Sequence, residues 1–172
     1  SRKAVYPTHW LNTRFPFDAK ARNQDLEQQV LSHLSGKDLV KLTDVGSGNG
    51  ANLRHLWPLI SASQAWTLIE KDPLLVEATL VERSEQALAL GYSVHRSATE
   101  MVFTKEEQEV RIRATETSLL TAGKEGWFAG RDFILANAVF DLFARDQFHA
   151  FMQDILPQGI PFYTTLNYES QA

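Results

Sequence analysis

Apolar and polar positions along the first part of the chain follow two different periods. In residues 23–36 (NQDLEQQVLSHLSG) apolar side chains recur every three or four positions, which predicts an amphipathic helix. Residues 38–46 (DLVKLTDVG) and 64–72 (QAWTLIEKD) carry short apolar runs instead, which predict buried strands. The chain therefore places one helix ahead of the first of two strands.

Helical patterns follow both of these strands. Residues 51–60 (ANLRHLWPLI) predict a helix that ends near Trp57, because Pro58 disfavours helical backbone before it. Residues 73–91 (PLLVEATLVERSEQALALG) open with proline at a helix start and close with glycine. Helix, strand, helix, strand and helix in this order predict an α/β fold, with a doubly wound, mostly parallel Rossmann-like sheet in a three-layer αβα arrangement.

The middle of the chain contains three short alternating segments, at residues 92–95, 101–104 and 110–114. We expect a hairpin across the acidic turn KEEQ (residues 105–108) to join the last two of them. We also expect VRIRAT, residues 110–115, to be the next parallel strand.

Two further apolar runs complete the pattern. Residues 131–143 (RDFILANAVFDLF) predict a buried strand that leads into a helix at residues 145–156. Residues 160–168 (IPFYTTLNY) predict a final strand. Trp66 and Trp127 are interpreted as core side chains.

Length and composition fit an ordinary globular domain. The 172 residues suffice for one domain, and 44% are hydrophobic and 22% charged. No apolar run approaches the roughly 20 residues of a membrane-spanning helix, and the first residues have no secretory signal pattern. We therefore expect a cytoplasmic protein without a membrane span.

Net charge and residue composition limit the kinds of site and ligand that the chain can have. The absence of cysteine excludes disulfides, thiolate metal ligands and cysteine nucleophiles. The five histidines are scattered without metal-ligand spacing, so we expect no metal site. A formal net charge of −4 argues against a broad nucleic-acid surface and favours a small-molecule partner.

The stretch DVGSGNG, residues 44–50, is the strongest motif of the chain. Glycine permits positive φ angles and close approach of a ligand to the backbone, as a nucleotide-binding turn between strand and helix requires. Gly46, Gly48 and Ala51 also satisfy the dinucleotide pattern G-x-G-x-x-A. That match alone is weak.

Two acidic residues change the interpretation of this turn. Asp44 lies two positions before the first glycine, where its carboxylate would repel a pyrophosphate. S-adenosylmethionine has no phosphate and carries a positive sulfonium and a positive amino group, which a carboxylate favours directly or through water. Glu70 ends the next strand, where it can accept hydrogen bonds from both ribose hydroxyls.

On these residues the chain resembles class I S-adenosylmethionine-dependent methyltransferases, over roughly residues 23 to 168. DVGSGNG resembles their first motif, LIEKD their second, and FILANAVFDLF lies where their fourth motif lies. The resemblance implies one domain, with a lead or lid at residues 1–22 and a Rossmann-like core at residues 23–172. It implies S-adenosylmethionine as cofactor, bound by Asp44, Gly46, Ser47, Gly48, Gly50, Asn52, Glu70, Lys71, Glu116, Asn137 and Arg22.

Some of these roles are more specific. Glu116 belongs to the loop on the adenine side, and Lys71 flanks the adenine. In the lead segment, Arg22 or a neighbour is a candidate for binding the methionine carboxylate, while Phe15 and Phe17 help to close the pocket. A packing segment with exposed basic residues is an equally good interpretation of that lead.

Asn137 and Asp141 are the candidate catalytic residues, at the edge of the pocket that faces the methyl group. Methyl transfer from a sulfonium needs mainly alignment of the reacting atoms, so a base is not required. The pattern N-x-x-F resembles the N-P-P-F loop of methyltransferases that act on nucleobase amino groups, but Ala138 and Val139 replace both prolines. We therefore predict an unidentified acceptor, preferably a small molecule.

The last strand adds an expectation about assembly. Residues 162–168 resemble the fifth strand of the family, and the two further strands usual in its sheet do not follow, so we expect a truncated chain or a minimal variant of the fold. A five-stranded sheet would leave this strand as an edge that favours a homodimer. Three functional alternatives stay open: a ribosomal RNA methyltransferase, an inactive cofactor-binding regulatory domain, and an NAD-dependent oxidoreductase.

Overall fold

The computed structural model describes residues 22–47, 50–117, 126–140, 149–150, 153 and 156–168. Within these residues the helices are α1 (Arg22–Leu34), α2 (Ala51–Leu56) and α3 (Pro73–Ala89), with 3-10 turns at Trp57–Leu59 and Leu156–Gln158. The strands are β1 (Leu39–Val45), β2 (Ser63–Ile69), β3 (Ser93–Arg96), β4 (Met101–Lys105), β5 (Gln108–Thr115), β6 (Phe133–Phe140) and β7 (Phe162–Tyr168).

The strands form one mixed sheet in the spatial order β3-β4-β5-β2-β1-β6-β7. Strands β5, β2, β1, β6 and β7 are mutually parallel, whereas β3 and β4 are antiparallel to their neighbours. Counted along the chain, the parallel strands stand third, second, first, fourth and fifth, which is the standard order of a doubly wound sheet. The predicted α/β, mostly parallel fold is therefore confirmed.

The sheet is larger than its five parallel strands. Among the described residues it has seven strands, because β3 and β4 extend it beyond β5 as antiparallel partners, and β7 lies at the opposite edge. The predicted hairpin across KEEQ is confirmed: Glu106 and Glu107 form its turn, with Glu106 at φ 55°. VRIRAT is the parallel partner of β2, as predicted.

One face of the sheet packs against the helices. Alternate positions of β1, β2 and β5 supply the apolar residues of this face, namely Val40, Leu42, Trp66, Leu68, Val110 and Ile112. The helices α1, α2 and α3 supply the residues that pack against them, namely Val30, Leu34, Leu53, Leu56 and Ala87. Because strand side chains alternate between faces, the neighbouring positions of the same strands project from the opposite face.

A buried glutamine fixes the end of α2 against the sheet. Gln64 Nε2 donates to the carbonyl oxygens of Trp57 (2.9 Å) and Ile60 (3.0 Å). Its Oε1 accepts from Trp66 Nε1 at 2.7 Å. These bonds tie the 3-10 turn that follows α2 to the sheet through β2. The predicted break near Trp57 is confirmed, since α2 ends at Leu56 and a 3-10 turn follows.

Some expectations fall outside the described residues. The lead segment with Phe15 and Phe17, and most of the helix expected at residues 145–156, belong to that part of the chain. Across the ranges given above, the helices are too short or too polar to cross a membrane.

Candidate functional site

The glycine turn lies where the strand order reverses. β2 and β6 flank β1 on opposite sides, so the crevice at the carboxyl end of β1 is where ligands bind in open α/β sheets. The amide N–H groups of Gly46 and Ser47 donate to the carbonyl oxygen of Ile69, at 2.8 and 3.3 Å. These bonds hold the turn against the end of β2.

The turn leads directly into α2 through Gly50. This residue has φ 74°, and its N–H donates to the carbonyl oxygen of Ser47 at 2.8 Å. A Cβ atom at this position would lie 2.6 Å from Thr79 Cγ2 on α3. Glycine is required here for the left-handed backbone and for the close approach of α3.

Asp44 is a completely buried carboxylate at the end of β1. Its Oδ1 accepts a hydrogen bond from Asn52 Nδ2 at 3.3 Å. Among the described residues no donor reaches Oδ2, although that atom is shielded from solvent. An ionised buried carboxylate oxygen is costly without a hydrogen-bond partner.

The surroundings of Asp44 shift its ionisation. Burial raises the pKa of its carboxyl group to about 7; the Asn52 hydrogen bond opposes this rise in pKa, and the charge of Glu70 adds to it. The group thus titrates near neutrality. A positive ligand at Oδ2 would favour the ionised form.

Glu70 follows β2 directly, as the sequence predicted. Its Oε2 accepts from the backbone N–H of Asp72 at 3.1 Å. Asp72 in turn caps α3, because its Oδ1 accepts from the N–H of Leu74 at 2.9 Å. Lys71, between these two acids, is exposed. The structure thus places two of the predicted cofactor residues, Glu70 and Lys71, on the same edge as Asp44.

Glu116 lies on this edge as well, immediately after β5, and is exposed. The N–H of Glu70 donates to the carbonyl oxygen of Thr115 at 3.1 Å, which ties the ends of β2 and β5 together. A cavity of about 290 Å³ extends from Glu116 to Pro73 at the start of α3. Glu116 is therefore next to the predicted site, on the side away from β1.

Several predicted residues cannot be placed in full. Gly48 and Asp141 lie outside the described residues, as do the side chains of Asn137 and Arg22. The backbone of Asn137 belongs to β6 and pairs with Thr165, and Arg22 is the first residue of α1. Where the chain is described, no three histidine, aspartate or glutamate side chains are grouped as metal ligands would be.

Sequence reasoning missed two features of this region. The contact of Thr79 with Gly50 joins distant segments and leaves no local signal in the sequence. The hydrogen bond from the amide of Asn52, a predicted cofactor residue, to Asp44 was likewise not indicated by the sequence. Of the two tryptophans interpreted as core, Trp66 is buried as expected. The interpretation of Trp127 was wrong, because its ring is only half-buried and lies 5.4 Å from the Arg113 guanidinium.

Neither a protein-family model nor a curated protein matches the chain. Among solved structures, two of the large terminase from a thermophilic bacteriophage are similar, each at 12% sequence identity, and one is a complex with ADP. The TM-scores are 0.41 and 0.42. The alignments cover 88% and 81% of this chain, and 39% and 38% of the two terminase chains. The chain thus spans about two-fifths of those proteins, and likenesses this distant do not bear on the function of the site.

Proposed function

We propose that this chain is an S-adenosylmethionine-dependent methyltransferase that binds its cofactor around Asp44, with a small-molecule acceptor. The observation that carries the proposal is the buried Asp44 Oδ2, which has no donor among the described residues. A cofactor that brings an ammonium group and a sulfonium would supply the missing positive charge at this position.

The charges of the site favour a cationic nucleoside over a dinucleotide. Asp44 and Glu70 are close enough for the charge of Glu70 to raise the pKa of Asp44. Two neighbouring carboxylates would repel a pyrophosphate, whereas they would attract a ligand with a positive methionine end. This argues against the NAD-dependent oxidoreductase.

The backbone of the turn supports the same ligand. Gly46 has φ 60° and is exposed, so the chain at this point has no side chain to keep a ligand away from the backbone. Glu70 lies at the adjacent strand end, and a carboxylate can accept about four hydrogen bonds, so it can bind ribose hydroxyls in addition to the N–H of Asp72. The cofactor would therefore span the ends of β1 and β2.

The chemistry asked of the protein is modest. When bound, the cofactor supplies an already activated methyl group, and the contribution of the chain is to orient the acceptor and to exclude water. Asn137 and Asp141 remain the proposed residues on the acceptor side, since β6 runs beside β1 at the strand-order reversal.

Calorimetric titration at pH 6 tests the proposal. We expect S-adenosylmethionine and its demethylated product to bind in the micromolar range, and NAD not to bind. Because Asp44 is largely protonated at pH 6 with a pKa of about 7, binding of the cation should release about one proton. The measured enthalpy should therefore vary with the ionisation enthalpy of the buffer, and this variation should disappear by pH 8.5.

Three variants make the test specific. Asp44→Asn should bind about ten- to a hundredfold more weakly and lose the proton release, and Glu70→Gln should weaken binding with proton release retained. Glu85→Gln, which removes an exposed charge from α3, serves as the matched control and should bind like the native chain. Equal affinities in all variants would refute the proposal.

Binding measurements alone do not distinguish an active methyltransferase from an inactive regulatory domain. Transfer of a labelled methyl group to a library of small acceptors distinguishes the two. Binding without transfer to any acceptor, with RNA included among them, would favour a regulatory domain that senses the cofactor.

A further inference from the structure

The two faces of the sheet differ sharply over its central strands. On the face that packs against the helices, β1, β2 and β5 present large apolar side chains, such as Leu42, Trp66 and Ile112. On the opposite face the middle positions of the same strands are small or basic, such as Lys41, Ala65 and Arg111, whereas Val45 and Ile69 at the carboxyl ends are apolar and buried. A parallel sheet that is covered on both sides normally carries apolar residues on both faces, so basic side chains in the middle of this face are unusual.

The strand register shows how these residues are arranged. Lys41, Ala65 and Arg111 stand side by side across β1, β2 and β5. In the next row on the same face, Thr67 stands beside Arg113. Ala65 thus lies between two basic residues, whereas Thr67 lies between Thr43 and Arg113.

These residues line a cavity of about 350 Å³. Ala65 and Thr67 form its floor, and Arg111 and Arg113 line one side. Lys41 and the segment Ala129–Gly130–Arg131, which precedes β6, line the other. We call this cavity the basic groove.

Three positive charges of the basic groove have no acidic partner among the described residues. Arg111 is neutralised by Glu100 and Glu109. In contrast, Lys41, Arg113 and Arg131 form no ion pair with any carboxylate in the described part of the chain. Burial, together with the charge of Arg113, lowers the pKa of Arg131, which shows that these two guanidinium groups are close enough to repel.

Neighbouring groups hold both of these arginines in place. Arg131 Nε donates to the carbonyl oxygen of Trp127 at 3.1 Å. The Arg113 guanidinium lies 5.4 Å from the centre of the Trp127 ring, a cation–π distance. The fold therefore holds two like charges together around one tryptophan, an arrangement that a bound anion would stabilise.

We propose that the basic groove binds the phosphate group of a small phosphorylated molecule, with Arg113, Arg131 and Lys41 as its cationic ligands. Arginine binds phosphate through two parallel N–H bonds, and lysine adds a point charge. The site is separate from the Asp44 crevice, because it lies on the other face of the sheet. It does not depend on the proposed methyl transfer.

The surroundings favour a small ligand over a nucleic-acid strand. A strand of several phosphates needs a continuous track of cations. Here carboxylates bound the groove: Glu100 and Glu109 lie on Arg111, and Glu116 follows β5. The volume of about 350 Å³ falls in the range of small-molecule sites.

Titration with inorganic pyrophosphate at constant ionic strength tests this inference. We expect saturable binding by calorimetry, accompanied by shifts of the Arg113 and Arg131 Nε–H signals in ¹H–¹⁵N spectra. Arg113→Gln and Lys41→Gln, both at exposed positions, should each weaken binding about tenfold. Arg54→Gln removes the same charge from an exposed position on α2 and should leave binding unchanged.

The remaining outcomes decide against the inference. Absence of saturable binding, or equal loss in Arg54→Gln, would show only a diffuse charge effect. Tighter binding of a single-stranded RNA oligonucleotide, with a steep salt dependence, would make the groove a nucleic-acid surface instead. Asp44→Asn should bind pyrophosphate like the native chain, so failure here and failure of the proposed cofactor site are distinguishable.

Discussion

At the scale of single residues, Asp44 combines two properties that both disfavour its ionised form. It is fully buried, and its Oδ2 has no donor among the described residues. Within that part of the chain, one side-chain hydrogen bond, from Asn52 at 3.3 Å, supports the ionised form. Ionisation of Asp44 therefore costs stability in the free protein, and the proposed binding of a cation at this carboxylate would offset that cost.

The pH dependence of the free energy of unfolding should reveal the raised pKa of Asp44. The pKa of Asp44 is about 7 in the folded protein, against 3.8 for an unperturbed aspartate. Between pH 4 and 7 the folded protein therefore keeps a proton on Asp44 that the unfolded chain has lost. The free energy of unfolding should therefore decrease as pH rises from 4 to 7, by up to roughly 4 kcal/mol, and level off above. Urea denaturation across this range measures the effect.

The variant Asp44→Asn isolates the contribution of this one group. It should remove the decrease between pH 4 and 7 while the contributions of other carboxylates remain. Asp38→Asn, at an exposed position, should keep the native profile. Parallel profiles of the native chain and Asp44→Asn would contradict a raised pKa at this position.

The acids of the site could be predicted from sequence, whereas their environment could not. Asp44 and Glu70 follow from local patterns, because each comes at the end of an apolar run and beside a turn. The unpaired Oδ2 of Asp44 depends on burial by distant segments, and the bond from Asn52 depends on how the turn folds back onto β1. Such contacts arise from tertiary structure and leave no periodic signal.

At the scale of elements, the contact between the glycine turn and α3 sets the position of the crevice. Thr79 is buried on α3, and its methyl group occupies the space that a side chain at position 50 would need. This close approach, together with the hydrogen bond from Gln86 Nε2 to the carbonyl oxygen of Arg54 at 3.2 Å, fixes the turn, α2 and α3 relative to one another.

A substitution at Gly50 tests this contact. Gly50→Ala should lower the free energy of unfolding by about 2–3 kcal/mol, because it combines a strained left-handed alanine with a 2.6 Å clash against Thr79 Cγ2. The double variant Gly50→Ala/Thr79→Ser removes the clashing methyl group and should recover the steric part of that loss. The backbone part, about 1 kcal/mol, should remain.

Urea denaturation of the four proteins of this cycle gives the coupling energy. Gly36→Ala is the control, because that glycine also has positive φ, 83°, but nothing within 4 Å of an added Cβ. It should show the backbone cost alone. Additive effects of the two substitutions would mean that Thr79 is not the obstacle.

The elements themselves were largely predictable, with one informative exception. The apolar runs of β1 and β2 and the alternation of β5 identified these parallel strands, but β3 is mostly exposed, so its alternation is weak evidence of pairing. The basic groove did leave a signal, because QEVRIRAT places arginines at alternate positions and LVKLTDV places one lysine between apolar residues. That alternation departs from the continuous apolar runs typical of parallel strands covered on both faces.

At the scale of the whole molecule, ligand binding should add to the stability of the entire domain. A ligand at one hundred times its dissociation constant contributes about 2.7 kcal/mol to the free energy of unfolding. For a chain of this size that corresponds to a rise of about 5–11 °C in Tm.

We expect this rise with S-adenosylmethionine at saturating concentration, measured by scanning calorimetry. The shift should grow with the logarithm of ligand concentration, because it follows mass action. Asp44→Asn should show little shift at the same concentration, whereas Lys41→Gln, on the other face of the sheet, should shift like the native chain. A shift retained in full by Asp44→Asn would place the ligand elsewhere.

The pairing of β1 with β6 has a consequence for how the molecule folds. Next to this pairing, Lys41 and Asp132 exchange hydrogen bonds of 2.8 Å, and 91 positions of chain separate them. Closing so long a loop costs about 1 kcal/mol more chain entropy than joining β1 to β2. The hairpin strands and β2 can assemble through shorter loops, which favours their earlier formation. We therefore expect the pairing of β1 with β6, which creates the crevice where the strand order reverses, to form late in folding.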